Sequence, residues 1–392
     1  MISFSMQRSR KPLARPIALV LAFAISTSAA MASAALPVDT IKLPPGFRIE
    51  VLTDQVPDAR EMTLGRYRNG KGVLYVGSGA GRVYAVTLGG VRATDVNMVA
   101  SGLQSPIGVA YRDGALYISA VSRILKLDRI DDSLDQPRKP VVMTDRFPSE
   151  THHGSKFIAF GPDGDLYVPV GAPCNVCERD ENRYYNLQKM KPDGSGATVI
   201  AKGIRNTVGF DWHPVDGSLW FTDQGRDMLG DDLPSDELNQ VAAANGTASP
   251  HFGFPYCHQG DTPDPEFGAK RNCSEFTPPV AKLGAHVSAL GMRFYRTRDD
   301  ATEAFPAEYR NNIFIAEHGS WNRSKKSGYR IARVIVDARG KLIKQEVFAE
   351  GWLRADEKVW GRPADVLPLP DGSLLVSDDH AGAIYRIRYA PR

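Results

Sequence analysis

The 392-residue sequence has little net charge, few cysteines and no long apolar run. Its formal charge is +3, and residues 1–34 contribute Arg8, Arg10, Lys11 and Arg15 with no acid, which leaves the remainder at −1. A chain so near neutrality has no global attraction to nucleic acid or an anionic membrane. No segment after residue 34 is apolar and long enough to span a bilayer, which argues against stable membrane insertion of the mature chain. There is no Arg-Arg pair to support a twin-arginine export route. The four cysteines are Cys174, Cys177, Cys257 and Cys273. Glu178 follows Cys177, which excludes a C-x-x-C-H haem attachment, and the lack of a second C-x-x-C counts against a zinc site. No βαβ pattern surrounds Cys174, as a thioredoxin-like redox pair would need. Long helices are also disfavoured, because 36 Gly and 27 Pro call for many turns. With 42% hydrophobic residues the chain is nevertheless rich enough to bury a large core, which excludes a disordered protein.

What is present starts with an address. Basic residues Arg8 to Arg15 precede the short apolar run 16–25, and Ala32-Ser33-Ala34 fits a small-residue cleavage site. This predicts a signal peptide over residues 1–34, and a secreted protein, periplasmic in a Gram-negative source. An uncleaved N-terminal anchor is the alternative. Four cysteines suit an oxidising compartment. Three pairings are open, of which Cys174–Cys177 with Cys257–Cys273 is the simplest. The second bridge would close a loop of about 17 residues, worth roughly 3 kcal/mol in the chain-entropy view.

One short pattern recurs: a Gly-containing turn followed by an alternating β-branched and aromatic run. Copies are 69–76, 112–118, 162–168, 215–221, 309–315 and 370–376. Asp-Gly and Asn-Gly suit tight hairpin turns, and the residues after them suit half-buried strands. The marker position holds Tyr75, Tyr117, Tyr167, Trp220, Phe314 and Leu375, at intervals of 42, 50, 53, 94 and 61 residues. Multi-strand units of this length predict an all-β, six-bladed β-propeller over residues 35–392 as a single domain. A β-sandwich with unequal hairpins is the alternative. The 94-residue interval predicts a long loop insertion in or after the fourth blade, about residues 227–305, rich in Gly, Pro, Asp and His.

Polar segments flank these strands: 151–156, 203–210, 222–239, 318–329 and 361–365. On a propeller such positions can share one rim. With Phe160-Gly-Pro-Asp-Gly-Asp-Leu-Tyr-Val168, Cys174-Asn-Val-Cys177, Gly203-Ile-Arg-Asn206, Asp223-Gln-Gly-Arg-Asp227, Phe254-Pro-Tyr-Cys257 and Gly361-Arg-Pro-Ala-Asp365 in order, the sequence resembles the soluble quinoprotein glucose/sorbosone dehydrogenase family over about residues 40–390. The likeness is greatest to the L-sorbosone dehydrogenase-like branch. The resemblance implies a six-bladed propeller that uses pyrroloquinoline quinone (PQQ) and calcium, with a small sugar or sugar aldehyde as substrate and a soluble or respiratory electron acceptor.

By that resemblance His153, eight residues before Gly161, is the general base, with His152 its immediate rival. Imidazole suits the role because its ordinary pKa lies near neutrality. Arg205 and Asn206 are implied to hold the quinone side of the cofactor, and Arg362 one of its three carboxylates. A planar guanidinium fork matches such an acceptor. Lys326 aligns with a cofactor-binding lysine, with Lys325 able to take its place. The glucose-oxidising branch has a second arginine where Ala364 stands, and Arg323 or Arg354 is the expected substitute. Main-chain oxygens of Gly225 and Arg226 are implied to bind calcium, a hard ion that takes carbonyl ligands. The acidic run Asp227, Asp231, Asp232, Asp236 and Glu237 lacks EF-hand spacing and reads as a solvated loop. His286 and His318 are candidates for substrate contact. The plain alternative for any one of these charges is a solvated surface group. Two rival functions remain: a calcium-dependent lactonase-like hydrolase, for which Asn206 and Asp223 would be recruited, and a non-enzymatic binding propeller.

Overall fold

The computed structural model describes residue 1 and residues 35–90, 92–242, 249–298 and 300–391. Apart from Met1, the predicted signal peptide lies outside the described residues.

The turn chemistry acts as read. Asn69-Gly70 and Asp113-Gly114 hold positive φ at both residues, the backbone that joins two right-twisted strands by a two-residue turn. Each such turn joins the first strand of a four-stranded antiparallel sheet to its second. There are six of these sheets, the blades of a β-propeller. Blade 1 comprises Ala59–Arg68, Lys71–Ser78, Arg82–Leu88 and Ala93–Ser101. Blade 2 comprises Val109–Arg112, Ala115–Ala120, Arg123–Leu127 and Val141–Thr144. Blade 3 comprises Ala159–Phe160, Leu166–Val170, Asn186–Met190 and Thr198–Lys202. Blade 4 comprises Phe210–Trp212, Leu219–Asp223, Ser235–Val241 and Ala281–Ala285. Blade 5 comprises Ala289–Phe294, Ile313–Glu317, Arg330–Val336 and Leu342–Glu350. Blade 6 takes Pro363–Pro368, Leu374–Asp378 and Ala383–Tyr389 from the C-terminus, and its fourth strand, Phe47–Thr53, from the N-terminus. That exchange closes the ring, with Phe47 opposite Tyr389 and Val51 opposite Tyr385.

All six marker residues lie in second strands. Those of blades 2 to 6 are buried throughout rather than half-buried, and that of blade 1 is buried from Leu74 to Ser78, because each blade is covered on both faces by its neighbours. Side chains alternate along a strand, so one set packs forward and the other back. Tyr75 packs with Val109 and Ile118 of blade 2, while Leu74 and Val76 pack with Leu375 and Ile384 of blade 6. Tyr117, Tyr167, Trp220 and Phe314 likewise fill the interface with the following blade.

The insertion is shorter than expected. Residues 227–305 contain three blade strands, Ser235–Val241, Ala281–Ala285 and Ala289–Phe294, and the inserted segment proper runs from 242 to 280 and carries the short antiparallel pair Cys257–His258 and Thr262–Pro263. Ser235–Val241 escaped notice because Asp236, Glu237 and Asn239 are polar yet buried. The segment climbs the outside of the ring. It bridges Lys202 at His251, and Gln259 accepts the N–H of Ser235 (2.8 Å). Both disulfides follow the local pairing, Cys174–Cys177 and Cys257–Cys273, which leaves no thiolate for zinc.

Candidate active site

Strand direction decides which loops meet. In an antiparallel blade the second-to-third turns and the blade-to-blade connections lie at one end of the ring. His152, His153, Arg205, Asn206, His286 and Arg362 sit in connections between blades, whereas Gly225, Arg226, His318 and Lys326 sit in second-to-third turns. All of them therefore occupy the same end.

The channel at that end has an apolar floor. Ile107, Val208, Leu290 and Ala364 form one buried cluster, and Phe157, Arg60 and Glu61 line the same small cavity. His153, Arg205, Asn206, His286, Arg60 and Arg362 each stand one to four residues before a floor residue, so the floor gathers their loops into a ring around the mouth.

His153 is held firmly. Its backbone has a positive φ of 48°, and its Nδ1 lies 2.9 Å from the Ala172 carbonyl oxygen. A carbonyl only accepts, so Nδ1 carries the proton and the Nε2 lone pair is left for chemistry. Burial, then the nearby Arg205 and His152 charges, hold the imidazole pKa well below its ordinary value, so the ring is neutral at pH 7. His152, whose ring centroid lies 4.1 Å from that of His153, is exposed. Beneath the histidines lies Lys156, a buried residue the sequence reading passed over. Its ammonium donates to Gly154 O (2.8 Å) and Val121 O (2.6 Å), which pins the turn.

Arg205 comes next to His153, because the Ala172 N–H donates to the Arg205 carbonyl at 2.8 Å. Its guanidinium, however, is not free for a ligand. Nε donates to Asn175 O, Nη1 to Gly225 O and Nη2 to Asn175 Oδ1, each at 2.8 Å, with Asp227 Oδ2 at 3.0 Å. Arg205 therefore braces the site instead of presenting a charge at the mouth. The same bond corrects the calcium expectation. The Gly225 carbonyl faces a guanidinium, and a cation placed there would meet like charge. The Arg226 side chain pairs with Asp264 (2.6 Å) and Glu266 (3.2 Å), anchoring the inserted segment. Among the described residues no group of three carboxylate, His or Cys side chains is arranged to hold a metal. Calcium does not fit the Gly225 carbonyl as it stands.

Asn206 is half-buried, with Nδ2 on Gln224 Oε1 (3.1 Å). Asp223 accepts from the backbone N–H groups of Arg205 (2.8 Å) and Asn206 (2.6 Å), which fixes the start of that loop. The acidic run is a solvated loop only in part, at Asp231 and Asp232. Asp236 and Glu237 are buried, Asp227 pairs with Arg205, and Asp231 and Asp232 hold Ser324 and Arg323. Lys326 is exposed, and its ammonium donates to the Glu357 carbonyl (2.8 Å), so it is not among the residues gathered at the floor.

Across the mouth stands a second charged group. His318 Nε2 contacts both Asp379 oxygens (2.9 and 2.8 Å), and Arg60 pairs with the same carboxylate. Burial drives the His318 pKa down to about 4. Arg362 donates Nε to His318 O (3.1 Å) and Nη2 to Gly319 O (2.8 Å). Ala364 lies in the apolar floor, where an arginine would have to be buried. Arg60 lines the same cavity as Ala364. Arg323 is instead bound to Asp231 O (2.6 Å), and Arg354 is exposed. No repeat or motif marked Arg60, because the pairing of its blade with blade 6 is a ring-closure contact. His286 donates from Nε2 to the Gly230 carbonyl (2.7 Å), which ties it to its own rim.

The arrangement suits an anionic acceptor. Arg60, paired with Asp379, and Arg362, which spends Nε and Nη2 on the His318 and Gly319 carbonyls, flank the mouth. Buried polar atoms without partners lie in the surrounding loops: Thr207 Oγ1, Asn322 Nδ2 and Arg323 Nε.

The TrAA12-like family model matches residues 41–390. An uncharacterized protein of Borreliella burgdorferi is 33% identical over 368 residues, 89% of this chain and 91% of its own. A pyrroloquinoline quinone-dependent sugar dehydrogenase of Hypocrea jecorina is 22% identical over 272 residues, 57% of this chain and 63% of that one. Among solved structures, the PQQ domain of pyranose dehydrogenase from Coprinopsis cinerea superposes with a TM-score of 0.75 at 16% identity, covering 89% of this chain and 97% of that domain. The soluble aldose sugar dehydrogenase of Escherichia coli gives 0.64 at 18% identity, covering 88% and 100%. These likenesses establish the propeller.

Proposed function

The chain belongs to the TrAA12-like family, and from that premise we propose that it is a PQQ-dependent dehydrogenase oxidising a sugar or sugar aldehyde of the aldose or sorbosone kind. The observation that carries the reading is the neutral His153, its Nδ1 proton directed at Ala172 O, at a mouth flanked by Arg60 and Arg362. The likeness to the pyrroloquinoline quinone-dependent sugar dehydrogenase of Hypocrea and the PQQ domain of pyranose dehydrogenase of Coprinopsis supports the cofactor and the substrate class.

PQQ, when bound, supplies a two-electron acceptor that a protein scaffold orients but does not provide. The residues with the right chemistry to hold its carboxylates are Arg60 and Arg362, with Asn206, Thr207 and Asn322 as polar contacts. His153 Nε2 takes the hydroxyl proton of a hemiacetal or aldehyde hydrate, which makes the carbon–hydrogen bond on the same carbon a better hydride donor. Burial, with the Arg205 charge beside it, keeps His153 neutral. The apolar floor closes the channel beneath the reacting carbon and keeps water from entering there. No step is assigned to calcium. The two disulfides support an exported, periplasmic location.

The test is reconstitution of purified protein with PQQ, followed by dye reduction with a panel of aldoses and aldehydes. Sugar-dependent reduction that is lost in His153→Ala supports the reading. Lactone hydrolysis without quinone overturns it.

A further inference from the structure

The Cys174–Cys177 disulfide closes a ring of four residues in the second-to-third turn of blade 3, on the rim that carries the histidines. A disulfide that only tied down a loop would leave the two enclosed side chains with nothing particular to do. Here Asn175 makes four hydrogen bonds, all to two residues of the site. Its carbonyl accepts from Arg205 Nε (2.8 Å) and its Oδ1 from Arg205 Nη2 (2.8 Å). The same Oδ1 accepts from the Asp227 N–H (2.8 Å), and Nδ2 donates to Asp227 O (3.1 Å). The amide thus reads a fork with one edge and a peptide with the other. Both acceptors must be held at fixed separation to meet the planar guanidinium.

We propose that the Cys174–Cys177 ring is a positioning element of the active site, in which Asn175 clamps Arg205 and Asp227 and so fixes the guanidinium beside His153. The proposal rests on His153 being the proton acceptor, and it assigns the ring a role that neither export nor fold stability requires. The chain of contact is short. Asn175 holds the Arg205 side chain, the Arg205 carbonyl takes the Ala172 N–H (2.8 Å), and the Ala172 carbonyl takes His153 Nδ1 (2.9 Å). Gly171 lets these strands of contact pack, since a Cβ there would meet both His153 and the Arg205 carbonyl. The charged and titratable groups around His153 are Arg205 and His152, with Asp227 facing His152. Glu150, Lys156 and Tyr184 line the cavity below. Loosening the clamp admits water and frees the guanidinium, which relaxes both the burial and the like charge that act on His153.

The experiment is an NMR titration of the histidine ring resonances in the protein without added cofactor. It compares the parent with Asn175→Ala and with the double variant Cys174→Ser/Cys177→Ser. The proposal expects the His153 midpoint to rise in both variants, by about half a pH unit or more, or roughly threefold in proton affinity. An unchanged midpoint in folded Asn175→Ala overturns the proposal. If that variant does not fold, a parent-like midpoint in the double serine variant does the same. The readout needs no turnover. Silence in the dye assay with a shifted His153 would therefore overturn the dehydrogenase reading while leaving the clamp standing.

Discussion

Gly171 lies so close beneath His153 that a Cβ built on it would sit 2.6 Å from the histidine Cβ and 2.7 Å from its carbonyl oxygen. The obstacle is steric, since the glycine does not occupy the left-handed region. Gly171→Ala should therefore displace His153 or its strand. Overpacking of this kind costs about 1–3 kcal/mol, and a misplacement near 1 Å can cost about 10²-fold in rate. Steady-state dye reduction together with a melting curve measures both. Full activity in the alanine variant would show that His153 does not need this seat.

Replacing the histidines separates the two rivals. His153→Ala should lower kcat by about 10²-fold or more, the scale of a lost general base. His152→Ala, which removes an exposed ring, should cost much less. The reverse order would transfer the role to His152.

The pH profile follows from the direction of the His153 shift. Its folded pKa is depressed, so the neutral base persists as pH falls through 6.5, the ordinary imidazole value. Activity should hold across that point and fall only on more acidic titration. A profile with a midpoint at or above 6.5 would contradict the buried, Arg205-flanked setting.

Stability should respond to pH through Glu237. Burial first, then the Asp223 charge, raises its pKa from 4.5 to about 8. The folded state therefore holds a proton that the unfolded state releases, so this contribution is complete below pH 4.5 and is lost as pH rises toward about 8. Glu237→Gln removes the titration. The melting temperature of the variant relative to the parent should rise from pH 4.5 to 8 and then level off, whatever the constant cost of rearranging the bonds to Gln259 and Asn239. A difference that does not change with pH would mean that Glu237 does not titrate over this range.

Because Arg205 Nη1 occupies the Gly225 carbonyl, calcium should not stabilise the protein through that site. Melting temperatures in calcium and in a chelator should agree. A ligand that binds the native state at 100 times its Kd adds about 2.7 kcal/mol, so a calcium-dependent rise would be readily seen and would require Arg205 to yield the carbonyl.

The sequence by itself determined the ring of blades. Asn-Gly and Asp-Gly set the turns, and the alternation around Tyr75, Tyr117, Tyr167, Trp220, Phe314 and Leu375 set the strands, because both depend on neighbours along the chain. It also placed His153, Arg205 and Arg362 next to strand ends, and hence within reach of one rim. It could not give the direction of a guanidinium. Whether Arg205 faces a ligand or Asn175, whether the Gly225 carbonyl is open or covered, and whether Asp236 and Glu237 are wet or buried depend on contacts between segments distant in the chain. Arg60 entered the site in the same way, because only closure of the ring by Phe47–Thr53 brings blade 1 against blade 6 and Asp379. Local patterns encode period and turn, whereas the partner of a long polar side chain is set by which loops the closed ring brings together.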